Sequence, residues 1–375
     1  MKSGRHRLVL SVVLCALALV IFLWFAKRYF NDHTPRVRTQ QETNQSNNQS
    51  KPSLSPHGAQ PQLQAFAVVL NGLNGGDASR RTLAELKTLL LSLPQGEALT
   101  VIREFLDTGT DAKTHQGFTI GNDGFLVSAP SLRVFLLDLL GQIDPLAAAA
   151  YARIVLERMD SPDEWAVCLR NVARASPTPE SRSYLQQRFS MLLQQGAWQG
   201  NPSVGFLEAF DLAVFLGGAE FIPALSHLVR NEENPTAAHA AFLALDRLTL
   251  NEPTTVLRMF IDRPDLLDGR EAIQAGYFAR ADVRDPTQRE LLERYLLASN
   301  RSAQELIAFA ELFPNANLMV SHNLLTRTVT FSNEDLRQKD QATIATINSW
   351  LNDPKFNHLV GVLKRLQERL NSYYH

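Results

Sequence analysis

Asp111, His115, Asn122 and Asp123 crowd into one stretch where the helical pattern of the chain breaks, residues 109–129, which read GTDAKTHQGFTIGNDGFLVSA, and Asp107 stands just before it. Carboxylates, an amide and an imidazole at such density could move protons, hold a hard cation through oxygen, or ligate a transition metal. Asp111 and His115 are four apart, a spacing that converges on a metal only on a helix. Gly109 and Gly117 bracket them, so a helix is not expected there. The Asp/Asn-rich turn could offer oxygens to calcium, but it lacks the twelve-residue spacing and the closing glutamate of a calcium-binding helix–loop–helix.

Asp107-Thr108-Gly109 also matches the triplet of aspartic proteases. That chemistry needs a second carboxylate to share one proton. The chain has no second copy, and residues 103–106 read as helix. Elsewhere the sequence holds no phosphate-binding glycine loop, no G-x-S-x-G, no H-E-x-x-H and no C-x-x-C. Neither a cofactor nor a metal site is expected, and an enzyme is the weaker reading. His227, His239, His322 and His358 stand alone, and Trp165, Trp198 and Trp350 lie at apolar helical positions that suit a core. If the chain has a site for catalysis or for a small ligand, it is residues 107–129.

The elements around that stretch follow from its punctuation. Phe118-Thr119-Ile120 and Phe125-Leu126-Val127 flank Gly121-Asn122-Asp123-Gly124, the pattern of a β-hairpin closed by a Gly/Asn turn. From residue 63 onward the rest reads as helix. A polar residue followed by proline marks helix starts at Asp144-Pro145, Ser161-Pro162, Thr178-Pro179, Asn201-Pro202, Asn234-Pro235, Asp285-Pro286 and Asp353-Pro354. The side chain caps the first turn, and proline at the first helical position gives up an N–H that had no partner anyway. Ser161 with Glu164, and Ser302 with Glu305, complete the spacing of capping boxes. Starts fall about 17 residues apart, or twice that, which is one helix and turn per step and one hairpin per two steps. The fold class expected is all-α: an α-solenoid of stacked helical hairpins with a small β-hairpin-like insertion.

Residues 221–231 (FIPALSHLVRN), the turn at Asn234-Pro235 and residues 240–248 (AAFLALDRL) resemble a HEAT repeat. That family pairs a first helix of the form x-P-x-L-x-x-L-L with an Asp/Asn turn and a second helix of small residues and spaced leucines. Here the turn is one residue longer, and Ala237-Ala238-His239 stands where the family has Val-Arg. A fainter echo runs over residues 153–173. The aromatic and glycine pattern of tetratricopeptide repeats, which share the spacing, is missing. The resemblance implies a protein-binding scaffold and brings no catalytic residues with it.

The two ends of the chain add location and contacts. Residues 8–26 are free of charge, about 28 Å as a helix, which suits a single transmembrane anchor after a tail at 1–7. A cleaved signal peptide is the rival, but Lys27 and Arg28 stand where a small-residue cleavage site should be. Residues 27–62 are rich in Gln, Asn, Ser and Pro, the composition of a disordered tether. The loop charges are nearly balanced; the short amino-terminal tail favours a soluble part, 63–375, outside the cytoplasm, periplasmic in a bacterial envelope. Residues 1–62 carry net +6, which leaves −7 on the remainder and no basic footprint for nucleic acid. Cys15 lies inside the apolar segment and Cys168 inside an expected helix, so no disulfide framework is expected. Phe356, Leu359, Leu363, Leu366, Leu370 and Tyr373 form a short a/d seam that would cap the array or pair two copies. Together these features imply a membrane-anchored helical scaffold for a protein partner.

Overall fold

The computed structural model describes residues 56–372 apart from 176 and 320. The anchor at 8–26 and most of the tether therefore lie outside the described residues, as do Cys15 and Tyr373. Among the described residues no helix is long and apolar enough to cross a membrane.

The fold is mostly helical, with few strands. It opens with α1 (Pro56–Asn71), α2 (Gly76–Ser92) and α3 (Gln95–Asp107). Helix α1 starts seven residues earlier than the sequence pattern predicts, with Pro56 at its first position, and it buries Leu63, Ala67 and Leu70. A hairpin of β1 (Thr119–Ile120) and β2 (Leu126–Ser128) follows. It pairs Thr119 with Ser128 and Ile120 with Leu126 around a bulge. The Gly/Asn turn expected at 121–124 closes it: Gly121 N–H donates to Phe125 O at 2.8 Å and Gly124 N–H to Gly121 O at 3.0 Å.

Then come α4 (Leu132–Ile143), α5 (Pro145–Val155), α6 (Pro162–Ala175), α7 (Pro179–Leu193), α8 (Gly196–Gly200), α9 (Val204–Glu208) and α10 (Asp211–Leu216). Next come α11 (Ile222–Arg230) and α12 (Pro235–Asn251), which pack on each other. The chain continues through α13 (Pro253–Asp262), α14 (Glu271–Phe278), α15 (Pro286–Leu297) and α16 (Ala303–Leu312). It ends in α17 (Asn333–Leu351) and α18 (Val360–Asn371). Packing is between near neighbours in sequence: α4 on α5, α5 on α6, α12 on α13, α14 on α16, α16 on α18. The longer helices hide their apolar stripes against near neighbours, so one core runs through the described chain.

The caps behave as their chemistry requires at Asp144, Thr178, Asn234 and Asp285, whose side chains accept first-turn N–H groups. Asn201-Pro202 does not start a helix; Ser203 takes over, accepting from Phe206 N–H, and α9 begins at Val204. Asp353-Pro354 opens a 3-10 turn, Pro354–Leu359, rather than an α-helix. The two capping boxes are made by half. Ser161 and Ser302 accept from Glu164 N–H and Glu305 N–H, but neither glutamate reaches back. Glu164 binds Arg133 at 2.8 Å, and Glu305 binds Arg301 at 3.0 Å. A nearby arginine outcompetes a backbone N–H for the carboxylate because the bond between two charged groups is the stronger one.

The terminal seam is consumed internally. Phe356, Leu359, Leu363, Leu366 and Leu370 are all buried within the chain, and α18 packs on α16 and α17.

Candidate functional site

The five residues singled out by sequence do different jobs. Asp107 accepts from Tyr151 Oη at 2.8 Å, and burial followed by that hydrogen bond pushes the Tyr151 phenol up. Asp111 Oδ1 accepts from Ala112 N–H and from Arg133 N–H at 2.9 Å, tying the loop to the start of α4. His115 is exposed, with φ of 55°, and its backbone lies so close to Gly75 that a Cβ on Gly75 would sit 2.8 Å from the His115 Cβ. Asp123 Oδ1 accepts from Phe125 N–H and shapes the turn, while Asn122 is exposed at its tip. Among the described residues no hydrogen bond joins any two of the five, and no cluster of three His, Cys, Asp or Glu could hold a metal. Cys168 is fully buried, and burial pushes its thiol up, out of reach of nucleophilic chemistry.

What the fold does assemble is a row of charged side chains set into apolar helices. Asp138, within FLLDLLG, is 2% exposed; Arg170, within VCLRNVA, is 0% exposed; Asp211, within AFDLAVF, is 1% exposed. Arg170 Nη1 donates to Asp138 Oδ1. Arg247 Nη1 donates to Asp211 Oδ1 at 2.9 Å. Arg280 grips Asp246 with two bonds, of 2.9 and 2.7 Å. The partners are 32, 36 and 34 residues apart, about one helical hairpin each. The adjacent Asp246 and Arg247 on α12 therefore reach in opposite directions, forward to one unit and back to another. Arg133 to Glu164 spans a similar 31 residues, as does Arg188 to Glu157, although Glu157 is exposed. A buried charge survives only if it is paired and hydrogen-bonded, so the buried pairs fix how their helices pack on one another.

Main-chain atoms of two non-helical segments take up further polar capacity of this row, beside the side chains of Gln142 and Asn171. From the hairpin, Leu126 N–H donates to Asp138 Oδ1 at 3.0 Å, and Gly124 O accepts from Arg170 at 3.2 Å. Arg170 and Arg174 lie over the Phe125 ring, 4.7 and 4.5 Å from its centroid. The second segment is the connection between α16 and α17. Arg280 donates to Asn315 O and Asn317 O, Arg174 to Leu324 O at 2.9 Å, and Asp211 Oδ2 accepts from Leu325 N–H at 2.7 Å and Thr326 N–H at 3.0 Å. The two segments touch at Gly124 (φ 75°), where a Cβ would come within 2.6 Å of Leu324 O. Arg174 also donates to Asp123 O, so one guanidinium joins both. Burial, then the neighbouring Arg170, lowers its affinity for the proton.

Two further features stand apart from these contacts. Glu208, partly buried on α9, has its carboxyl pushed up to about 7 by burial, with Arg247 pulling it down and Asp211 pushing it further up. An open groove of about 460 Å³ lies at α11, α12 and α14, lined by Val229, Pro235, Ala238, His239, Phe242 and Ile273. Sequence reading missed the row. The signal was present: single charged residues inside otherwise apolar helices, recurring about once per hairpin.

No protein-family model matches the chain, and neither a curated protein nor a solved structure matches it.

Proposed function

We propose that this chain is a scaffold that holds a protein partner, an α-solenoid of HEAT-like helical hairpins without chemistry of its own, carried on a membrane anchor at residues 8–26 with its helical part outside the cytoplasm. The observation that carries the reading is the row from Asp138 to Arg280: charged side chains, about one set per hairpin, that grip extended polypeptide through its backbone carbonyls and N–H groups. Backbone recognition along a helical array supplies affinity through groups that every polypeptide carries. Helices that stack on sequence neighbours, as these do, suit a repeat array. The separate duties of Asp107, Asp111, His115 and Asp123 give the enzyme reading no nucleophile, base or acid in reach of one another. The anchor and the side of the membrane rest on sequence alone.

The test is cross-linking in intact cells of the full chain, with a photoreactive residue placed at Ala238 in the groove. A discrete cross-linked protein, lost when the groove is altered by Phe242→Asp, is the expected outcome. A chain that cross-links to nothing under any growth condition sinks the scaffold reading. Proteolysis of spheroplasts tests the topology separately: digestion of the helical part from outside is expected, and full protection overturns that placement.

A further inference from the structure

We infer that the seat now filled by residues 323–326 is a peptide-binding site, and that its intended occupant is an extended segment of a partner protein carrying a leucine followed two residues later by threonine or serine. This rests on the scaffold reading and names the surface and the chemistry of the partner.

Four observations carry it. Helices in compact domains are joined by roughly 2–8 residues, yet the chain spends residues 313–332 between α16 and α17. That connection travels back to α6 and α10, reaching residues 150 and 114 positions earlier. A connection whose only duty was to join two helices would have no reason to do so.

The contacts of the seat are transferable. Arg174 binds Leu324 O, and Asp211 binds two consecutive N–H groups, those of Leu325 and Thr326. Every polypeptide carries these groups. Two side chains add selectivity: Leu324, which is 2% exposed, and the Thr326 hydroxyl, which donates to Asp211 Oδ1 and accepts from Arg247 at 3.3 Å.

The charges of the seat have partners of their own besides the segment. Asp211 retains Arg247, and Arg174 retains Asp123 O and the face of Phe125. Neither charge is stranded when the segment leaves, so the cost of departure stays far below that of breaking a buried pair.

The segment itself is lightly held. Among the described residues from 314 to 331, Leu324 is the one fully buried apolar side chain, whereas the flanking helices bury Phe309 and Ala310 on one side and Ile347 and Trp350 on the other. Little apolar burial and bonds made mainly through backbone are the signature of a region that opens before the core does. As a tethered competitor the segment has a high effective concentration, so a partner must exceed it, and a weakened tether segment must admit ligand more readily.

The probe is a fluorescent peptide of residues 321–331 (SHNLLTRTVTF), titrated with the full chain in detergent micelles and followed by polarisation. Binding at least tenfold tighter to a Leu324→Ser/Thr326→Ala chain than to the unaltered one is expected. A peptide with the same two replacements should bind at least tenfold more weakly, a comparison that alters no residue of the protein. Equal affinity of the two peptides, or of the two chains, overturns the proposal. Hydrogen exchange on the unaltered chain gives a second reading. The Leu325 and Thr326 amides should exchange at least a hundredfold faster than that of Leu245 in α12, and equal protection means a structural splice that never opens. If the unaltered chain is a dimer that the peptide dissociates, the occupant is a second copy, and the commitment to a foreign partner is overturned. A chain that captures a partner through its groove while residues 325 and 326 stay protected leaves the scaffold reading intact and removes only this one.

Discussion

Asp211 and Thr326, 115 residues apart, are joined twice: the Thr326 N–H donates to Asp211 Oδ2 at 3.0 Å, and the Thr326 hydroxyl donates to Oδ1. The same carboxylate takes Leu325 N–H and Arg247, so all its strong acceptor positions are used in a site only 1% exposed. The Asp211→Asn variant removes the charge and turns one acceptor into a donor facing a donor. We expect a loss of about 2–3 kcal/mol in urea unfolding, and faster exchange of the Leu325 and Thr326 amides. Unchanged exchange at those two amides would show that Asp211 does not hold the segment.

Arg170 is fully buried and bound to Asp138. Arg170→Met should cost about 3–5 kcal/mol, because Asp138 is left as a buried charge short of its partner. Adding Asp138→Asn neutralises that charge and still leaves an oxygen for the Leu126 N–H, so the double variant should recover at least ~1 kcal/mol of the loss. Strict additivity of the two single effects in a urea double-mutant cycle would contradict the pairing.

Gly124 and Gly109 both have positive φ, 75° and 70°, but only at Gly124 would an added methyl meet neighbours within 4 Å. Alanine at either should cost about 1–2 kcal/mol for the left-handed backbone. Gly124→Ala should cost more, since its Cβ meets Leu324 O, and should also loosen residues 323–326 in hydrogen exchange. Equal losses at the two positions would mean that the hairpin and the connection do not press on each other.

Glu208 titrates far above the ordinary carboxylate value of 4.5, at about 7, with burial as the main cause. The folded chain then holds this proton more tightly than the unfolded one. Its contribution to stability is complete below about pH 4.5 and is lost as pH rises through about 7. Between pH 5 and pH 8 we expect a decline on the order of 1–3 kcal/mol that is absent from Glu208→Gln. Parallel pH profiles for the two proteins, read as urea midpoints, would remove Glu208 as the cause.

Leu363 and Leu366 are both 0% exposed in the single chain. Leu363→Asp should therefore unfold the α16–α18 region, costing several kcal/mol, and calorimetry should show a lowered Tm at every protein concentration. A variant that stays folded and merely changes from dimer to monomer would place the seam between copies instead.

Local chemistry accounts for what could be read from the chain directly. Helix starts at Asp144, Thr178, Asn234 and Asp285 follow from a side-chain acceptor next to proline, and the hairpin follows from two glycines around Asn122 and Asp123. These signals act within four residues, so no tertiary information is needed. The buried stripe of α18 was equally legible as spacing, but whether it faced its own chain or another was not.

Where a contact spans distant parts of the chain, the sequence is silent. Glu164 has the spacing of a cap and serves Arg133 instead, because the arginine arrives from a helix 31 residues away and offers a stronger bond. Asp107, Asp111, His115, Asn122 and Asp123 are close in sequence, yet the turns between them aim each one elsewhere. Asp138, Arg170, Asp211, Arg247 and Arg280 lie far apart along the chain; the packing of helices brings each to a partner 32 to 36 residues away. A charge in an apolar helix must find a partner or leave the core, and only the packing of the helices decides which partner it finds.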